Sequence, residues 1–367
     1  MAKINKFRSP TKMTVCIPSY NRGTRLLEYL QSISAEFNED WPILILDNAS
    51  NNQAHDYQII EEMSAVTSGL DYIRQAKNLL FEGNFQSMFE LVQTDFFMVV
   101  SDEDEINFDF VKNLHPRLLN FGDVGAIRPS LDSKGNNKLR QATIFSDKVY
   151  DPGPEAISNF GLTGNYISGC IYNKTLLKKF NFDVQLKKNM HEHRTYPHLY
   201  MNILAASSTK TMFMSDVSCF ENAPEEVSSR EIDYFGAYSF GSRTDQFVSL
   251  RNAMLEAVLN TSESFNAEGF YDCYKLLCTK YLRLIGYINT NMYEAHALEH
   301  STLTRSFVLF CLASAQKMPN YEDYSAELEK HLVEKETQFN SKYVKNRSLI
   351  TELIQKDIET LGVEAAS

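Results

Sequence analysis

Phe96-Phe97-Met98-Val99-Val100-Ser101-Asp102-Glu103-Asp104-Glu105 runs five apolar residues directly into a serine and four acids. An unbroken apolar run of this length reads as a strand covered on both faces, as in a parallel sheet. The same pattern occurs three times upstream. Thr14-Val15-Cys16-Ile17 is an apolar run stopped by Pro18, Ile43-Leu44-Ile45-Leu46 ends at Asp47, and Tyr72-Ile73 gives a weaker third strand. Amphipathic stretches separate them. Residues 24–35 carry Leu26, Leu27, Leu30 and Ile33 on one helical face, residues 57–66 follow the second run, and residues 83–92 turn Phe85, Met88, Phe89 and Val92 inward. This alternation predicts an α/β fold with a doubly wound, Rossmann-like, mostly parallel sheet.

In such sheets a ligand sits beyond the carboxyl ends of the strands. The polar residues of this half fall there: Ser19-Tyr20-Asn21-Arg22, Asp47-Asn48-Ala49-Ser50 and Ser101 to Glu105. Three polar clusters should therefore converge on one sheet edge.

Residues 125–221 are mixed, with Tyr166 to Tyr172 and Met212 to Phe220 reading as strands and Leu199 to Ala206 as a helix. Beyond about Pro224 the period becomes helical, through Phe247, Leu250, Met254, Leu255 and Val258, then Leu276, Leu277, Tyr281, Leu282 and Ile285. The division expected for 367 residues is an α/β domain over 1–222 and a mainly helical one over 223–367. Tyr271, Tyr274, Tyr281, Tyr287 and Tyr293 read as its packing residues, and the helices would position an acceptor, form a homo-oligomer or meet a membrane surface.

A net charge of −11 argues against nucleic acid as the main partner, because phosphate binding needs a basic surface. No apolar run reaches eighteen residues, so no spanning helix is expected. The basic start Met1 to Arg8 has no apolar run behind it and does not read as a secretory signal. The expected location is cytoplasmic, with room for peripheral association at the inner face of a membrane. The six cysteines form no Cys-x-x-Cys pair and read as reduced core residues.

Four adjacent acids repel unless a cation neutralises them. Mg²⁺ or Mn²⁺ takes one or two carboxylates plus substrate phosphates and stabilises a diphosphate leaving group. A solvated helix start explains the same run more plainly, since acids are favoured there. Asp47 can accept from the N3–H of a pyrimidine base, or simply close an Asx-turn. Tyr20 can pack on a base, and Arg74, Lys77 and Asn78 can meet a base or phosphate, or be ordinary surface residues.

Together, Thr14 to Arg22, Ile45 to Asn51, Lys77 to Phe85 and Val99 to Ile106 resemble glycosyltransferase family 2, whose fold is GT-A. The resemblance is specific over residues 12–110, weakens to 222 and does not cover the helical part. It implies a nucleotide-sugar donor, UDP most commonly, held by Pro18, Ser19, Tyr20, Arg22, Asp47, Arg74, Asn78, Asp102 and Glu103. It implies a DxD-type metal site mainly on Asp104, with Asp102 second. Many relatives carry three consecutive aspartates where this chain has Asp102-Glu103-Asp104, and the longer Glu103 shifts that geometry.

Most members invert the anomeric centre, which needs a base for the acceptor hydroxyl. Gly164 to Cys170 resembles the sugar- and acceptor-facing strand, with Ser168 and Gly169 nearest the ligand. His191 to Leu199 holds three of the eight histidines, and His198 or Glu192 is the expected base; a capping histidine in a polar loop fits the same residues. The acceptor expected from the family is a growing surface glycan or a lipid-linked saccharide. Two other readings are a catalytically degenerate scaffold working through its helices and a sugar nucleotidyltransferase. The latter wants a Gly-rich loop that Arg22-Gly23-Thr24-Arg25 does not supply.

Overall fold

The computed structural model describes residues 13–133, 143–163, 166–188, 196–222, 240–260, 267–296, 302–318 and 320–360. It divides into two compact units, Met1–Ser228 with Asn252–Phe265, and Ser229–Arg251 with Asn266–Ser367.

The first unit is built on one nine-stranded sheet. β1 (Met13–Ser19), β2 (Ile43–Asp47), β3 (Leu70–Arg74) and β4 (Phe96–Val99) are its parallel part, in the order β3-β2-β1-β4. β8 (Ile171–Asn173) continues the sheet antiparallel to β4. Next come β6 (Val124–Ser133), antiparallel to β8, and β9 (Lys210–Glu221), parallel to β6. The short strands β5 (Glu105–Ile106) and β7 (Lys148–Tyr150) both pair antiparallel with β9. The sheet is therefore α/β and doubly wound in its first half, and mixed beyond β4.

Alternation along the strands sorts the core onto two faces. Met13, Val15, Ile17, Ile43, Ile45, Phe96, Met98 and Val100 belong to one cluster. It includes Leu26, Leu27 and Leu30 of α1 (Gly23–Ser32), Tyr57 and Ile60 of α2 (Ala54–Val66) and Phe110, Val111 and Leu114 of α4 (Phe108–Leu114). Each fully buried leucine there contributes about 2 kcal/mol. Gly23 opens α1 because an added Cβ would lie 3.0 Å from the Gln53 carbonyl oxygen and the Tyr57 ring. On the opposite face Phe97 meets Phe89 of α3 (Leu80–Leu91), ring centres 4.9 Å apart, and Tyr172 of β8 at 5.4 Å.

The remaining helices of this unit are the single turn α5 (Pro154–Ala156), then α6 (Lys174–Lys179), α7 (Phe182–Lys188) and α8 (Pro197–Ser208). The Tyr172 hydroxyl donates to Asn202 of α8 at 3.0 Å, tying that helix to the sheet.

The second unit is helical, drawn from α9 (Phe240–Asn260), α10 (Ala267–His296), α11 (Thr302–Ala315) and α12 (Tyr321–Thr360). Phe247 is fully buried among the rings of Tyr274, Tyr281, Phe307 and Phe310, at 5.3 to 6.0 Å. Tyr271, Tyr274 and Tyr281 are core residues as expected; the side chains of Tyr287 and Tyr293 lie outside the described ones. All six cysteines are buried and free. Among the described residues, no helix is long and apolar enough to cross a membrane.

One predicted strand is shorter than its apolar pattern. Tyr166 to Cys170 leave the sheet, and only Ile171–Asn173 pair. Gly169 turns at φ 80°, and its N–H donates to the Val99 carbonyl at 2.8 Å, so the segment bends across the end of β4.

Candidate functional site

Register alone brings three of the predicted residues into a row. Ser19 lies beside Asp47, and Asp47 beside Arg74, at the carboxyl ends of β1, β2 and β3. Asp47 is 0% exposed. Its Oδ1 accepts from the Ser50 N–H at 2.8 Å, and its Oδ2 accepts from the Tyr72 hydroxyl at 2.7 Å and from Arg74 Nη1 at 2.8 Å. Arg74 also donates to the Ser50 carbonyl at 2.7 Å. Asp47 thus closes an Asx-type turn and anchors Arg74, which is half-exposed above it. Burial, reinforced by Asp47, pushes the Tyr72 hydroxyl up and keeps it a donor. A carboxylate offers about four lone-pair sites, so Asp47 keeps one acceptor position beyond these three donors.

Around this row, Pro18 is buried within β1 and pairs with Leu46. Ser19 Oγ is 2.6 Å from the Tyr57 hydroxyl, which accepts from the Arg22 N–H at 3.1 Å. Tyr20 stands 39% exposed on the rim. Asn78 is exposed, and its Oδ1 accepts from Asn48 Nδ2 at 2.9 Å, fixing one loop to the next.

The acidic segment follows β4 and holds its own counter-charge. Arg22 Nη1 pairs with Asp102 Oδ1 and Nη2 with Glu103 Oε1, both at 2.7 Å. Arg25 donates to the Glu103 carbonyl at 2.7 Å. Asp104 faces away from both arginines. Its carboxylate accepts from the Tyr166 hydroxyl at 2.7 Å, the Ser168 hydroxyl at 2.5 Å and the Asn222 N–H at 3.2 Å. Burial pushes the Asp104 carboxyl up to about 6, against the lowering effect of those three donors.

Among the described residues, no group of three or more His, Cys, Asp or Glu side chains is arranged to hold a metal ion. A substrate-borne cation needs less, one or two carboxylates plus diphosphate oxygens. Asp102 fits that demand, since its Oδ2 meets no donor among the described residues. Asp104 fits it poorly, because three donors already converge on it.

Three other expected site residues are buried against the protein's own segments. Ser168 is buried, accepts from the Ser101 N–H at 2.9 Å and donates to Asp104, so it locks the acidic loop rather than facing an acceptor. A Cβ on Gly169 would come 2.2 Å from Ser218 Oγ; its bare backbone admits the protein's own β9, not a ligand. His198 is 2% exposed in the first turn of α8, with its ring edge-on to Tyr196. Glu192 lies outside the described residues.

The structure adds roles for Tyr57, Tyr72, Arg25 and Asn222, which carried no motif, and for Asn48 and Tyr166, which lay inside quoted stretches without a role of their own. Their bonds span up to 118 positions, from Asn222 to Asp104. The one local signal was tyrosine inside otherwise apolar stretches, where a buried hydroxyl needs a partner.

Comparison with known proteins follows this geometry. Residues 14–180 match the family described as Glycosyl transferase family 2. TarS residues 1–349 from S. aureus, solved with UDP-GlcNAc, is 14% identical, with 91% of this chain and 92% of that one covered and a TM-score of 0.58. The same TarS segment with UDP gives 0.52 at 12% identity, covering 91% and 92%. The longer TarS structure gives 0.56 at 15% identity, covering 90% of this chain and 54% of that one. At these identities the likeness is one of fold. No curated protein matches the chain.

Proposed function

Starting from a chain whose residues 14–180 form a glycosyltransferase family 2 domain on a GT-A fold, we propose that it transfers a sugar from a UDP-sugar to a hydroxyl of a surface glycan or lipid-linked acceptor, with inversion. The observation that carries this reading is the convergence of Ser19, Asp47, Arg74 and Asp102 on one edge of the parallel strands. That is where an α/β sheet of this kind receives a nucleotide. TarS, the fold neighbour, is described with UDP-GlcNAc and UDP.

In this reading the base lies over the β1–β3 ends, where the spare acceptor position of Asp47 and the backbone beside Ser19 read its edge. Arg74 and Tyr20 flank it. Asp102 and Glu103 face the ribose and diphosphate, and Asp102 would hold a Mn²⁺ or Mg²⁺ borne by the donor. That cation supplies charge neutralisation for the departing diphosphate. Asp104 positions the loop through Tyr166, Ser168 and Asn222. The acceptor oxygen attacks the anomeric carbon from the face opposite the breaking C1–O bond, and its proton passes to a base. With His198 in the core, Glu192 is the remaining candidate.

A second reading, a binding protein on the same fold, draws on one observation: Asp102, Glu103 and Asp104 all have protein donors already. The experiment separates the two. UDP release is measured from UDP-GlcNAc, UDP-glucose and UDP-galactose with Mn²⁺, against Asp102→Ala. Metal-dependent release lost in the variant supports the enzyme. Nucleotide binding without release from any donor favours the binding protein.

A further inference from the structure

Leu80 is a bulky residue at φ 60°, a left-handed conformation that costs free energy for anything but glycine and is rare for a branched side chain. It is not alone. Asn21, Ala49 and Gln53 also have positive φ, and all four lie in the loops following β1 and β2 or at the mouth of α3. Such conformations persist only where surrounding structure over-determines them. Here the enforcing residues are visible. Asn48 Oδ1 accepts from the Leu79 N–H at 2.8 Å, and its Nδ2 donates to the Leu80 carbonyl at 3.1 Å and to Asn78 Oδ1 at 2.9 Å. Asn78 Oδ1 also accepts from the Leu80 N–H at 2.7 Å. Asn48 is itself buried and follows Asp47 directly.

The clamp does not hide the side chain it strains. Leu80 is 55% exposed. A turn that needed only its backbone shape would be served by glycine, without strain and without placing an isobutyl group in water. The leucine is therefore explained by what its side chain meets.

We propose that Leu80 is a donor-specificity residue: the Asn48–Asn78 clamp presents its apolar side chain to the nucleoside of a bound nucleoside diphosphate, as a lid against the base or ribose. This rests on the donor-site reading above and goes beyond it by giving a role to Leu80, which lies within the Lys77 to Phe85 stretch but was assigned none. The contact is with the nucleoside, so it acts on affinity for the base-bearing ligand and leaves the diphosphate alone.

The test is calorimetric titration of UDP, GDP and inorganic pyrophosphate into wild type, Leu80→Ala and Leu80→Gly. Alanine keeps the backbone strain and removes the contact; glycine removes both. Both variants are expected to bind UDP about tenfold more weakly while pyrophosphate affinity stays within about twofold, a loss typical of one apolar contact. Leu80→Gly is expected to melt about 2 °C higher than Leu80→Ala, as relief of backbone strain predicts. Wild-type UDP affinity in both variants would overturn the proposal, as would equal losses for UDP and pyrophosphate. Failure of wild type itself to bind any of the three ligands would instead overturn the donor-site reading, and this proposal with it.

Discussion

Arg22 and Asp102, eighty positions apart, are joined by a 2.7 Å ion pair at the mouth of the parallel sheet, and the same guanidinium takes Glu103 at 2.7 Å. The loop after β1 therefore supplies a counter-charge to the acidic loop after β4. Arg22 is 30% exposed and Asp102 buried, so the pair is partly screened. Arg22→Ala should cost about 1 to 2 kcal/mol, below the range for a fully buried pair. If a divalent cation shares these carboxylates, Mn²⁺ should raise the melting temperature of Arg22→Ala more than that of wild type. Equal shifts would separate the acidic loop from metal binding.

Asp104 makes stability depend on pH. Its folded pKa, about 6, is raised from the ordinary 3.8, mainly by burial. The folded state therefore holds this proton more tightly than the unfolded chain does. Stability from this group is fully present below about pH 3.8, falls as pH rises toward 6, and is level above that. The loss is on the order of 3 kcal/mol. Asp104→Asn lacks the titration, so its urea midpoint should gain on wild type between pH 4 and pH 7. A constant difference across that range would contradict the assignment.

Asp47→Asn keeps the shape but not the charge that holds Arg74 and accepts from the Tyr72 hydroxyl. UDP affinity is expected to fall at least about tenfold, as for a lost charge-assisted hydrogen bond, with pyrophosphate binding little changed. Parallel losses for both ligands, read by calorimetry, would place Asp47 outside the base pocket.

His198→Ala should behave as a core mutation. Removing a buried ring costs about 2 to 4 kcal/mol and lowers the denaturation midpoint. Turnover by the folded fraction, with any donor found to react, should remain within about threefold of wild type. A loss of two or more orders of magnitude in kcat with unchanged stability would restore His198 as the base.

Much of the first unit was legible because its physics is local. Buried parallel strands announce themselves as apolar runs, and the polar residues ending β1, β2 and β4 fall at one edge once the strands are parallel. The second half of the sheet was less legible. Tyr166 to Cys170 is apolar enough for a strand, yet Gly169 and the Ser168–Asp104 bond bend it over the acidic loop, a tertiary effect no period reveals. The acidic run shows the same limit. Sequence predicted that four acids need a cation, and the structure supplies a guanidinium from β1's loop. An imidazole's chemistry is visible in sequence, while the burial of His198 is not.

The most direct test of the central claim, a UDP-sugar site at the ends of β1 to β4, is calorimetric titration of UDP into wild type and Asp102→Ala, with and without Mn²⁺. The account predicts UDP binding to wild type that Mn²⁺ tightens about tenfold or more, and binding to Asp102→Ala that Mn²⁺ leaves unchanged. No binding of UDP to wild type under either condition, or an equal Mn²⁺ effect in the variant, would contradict it.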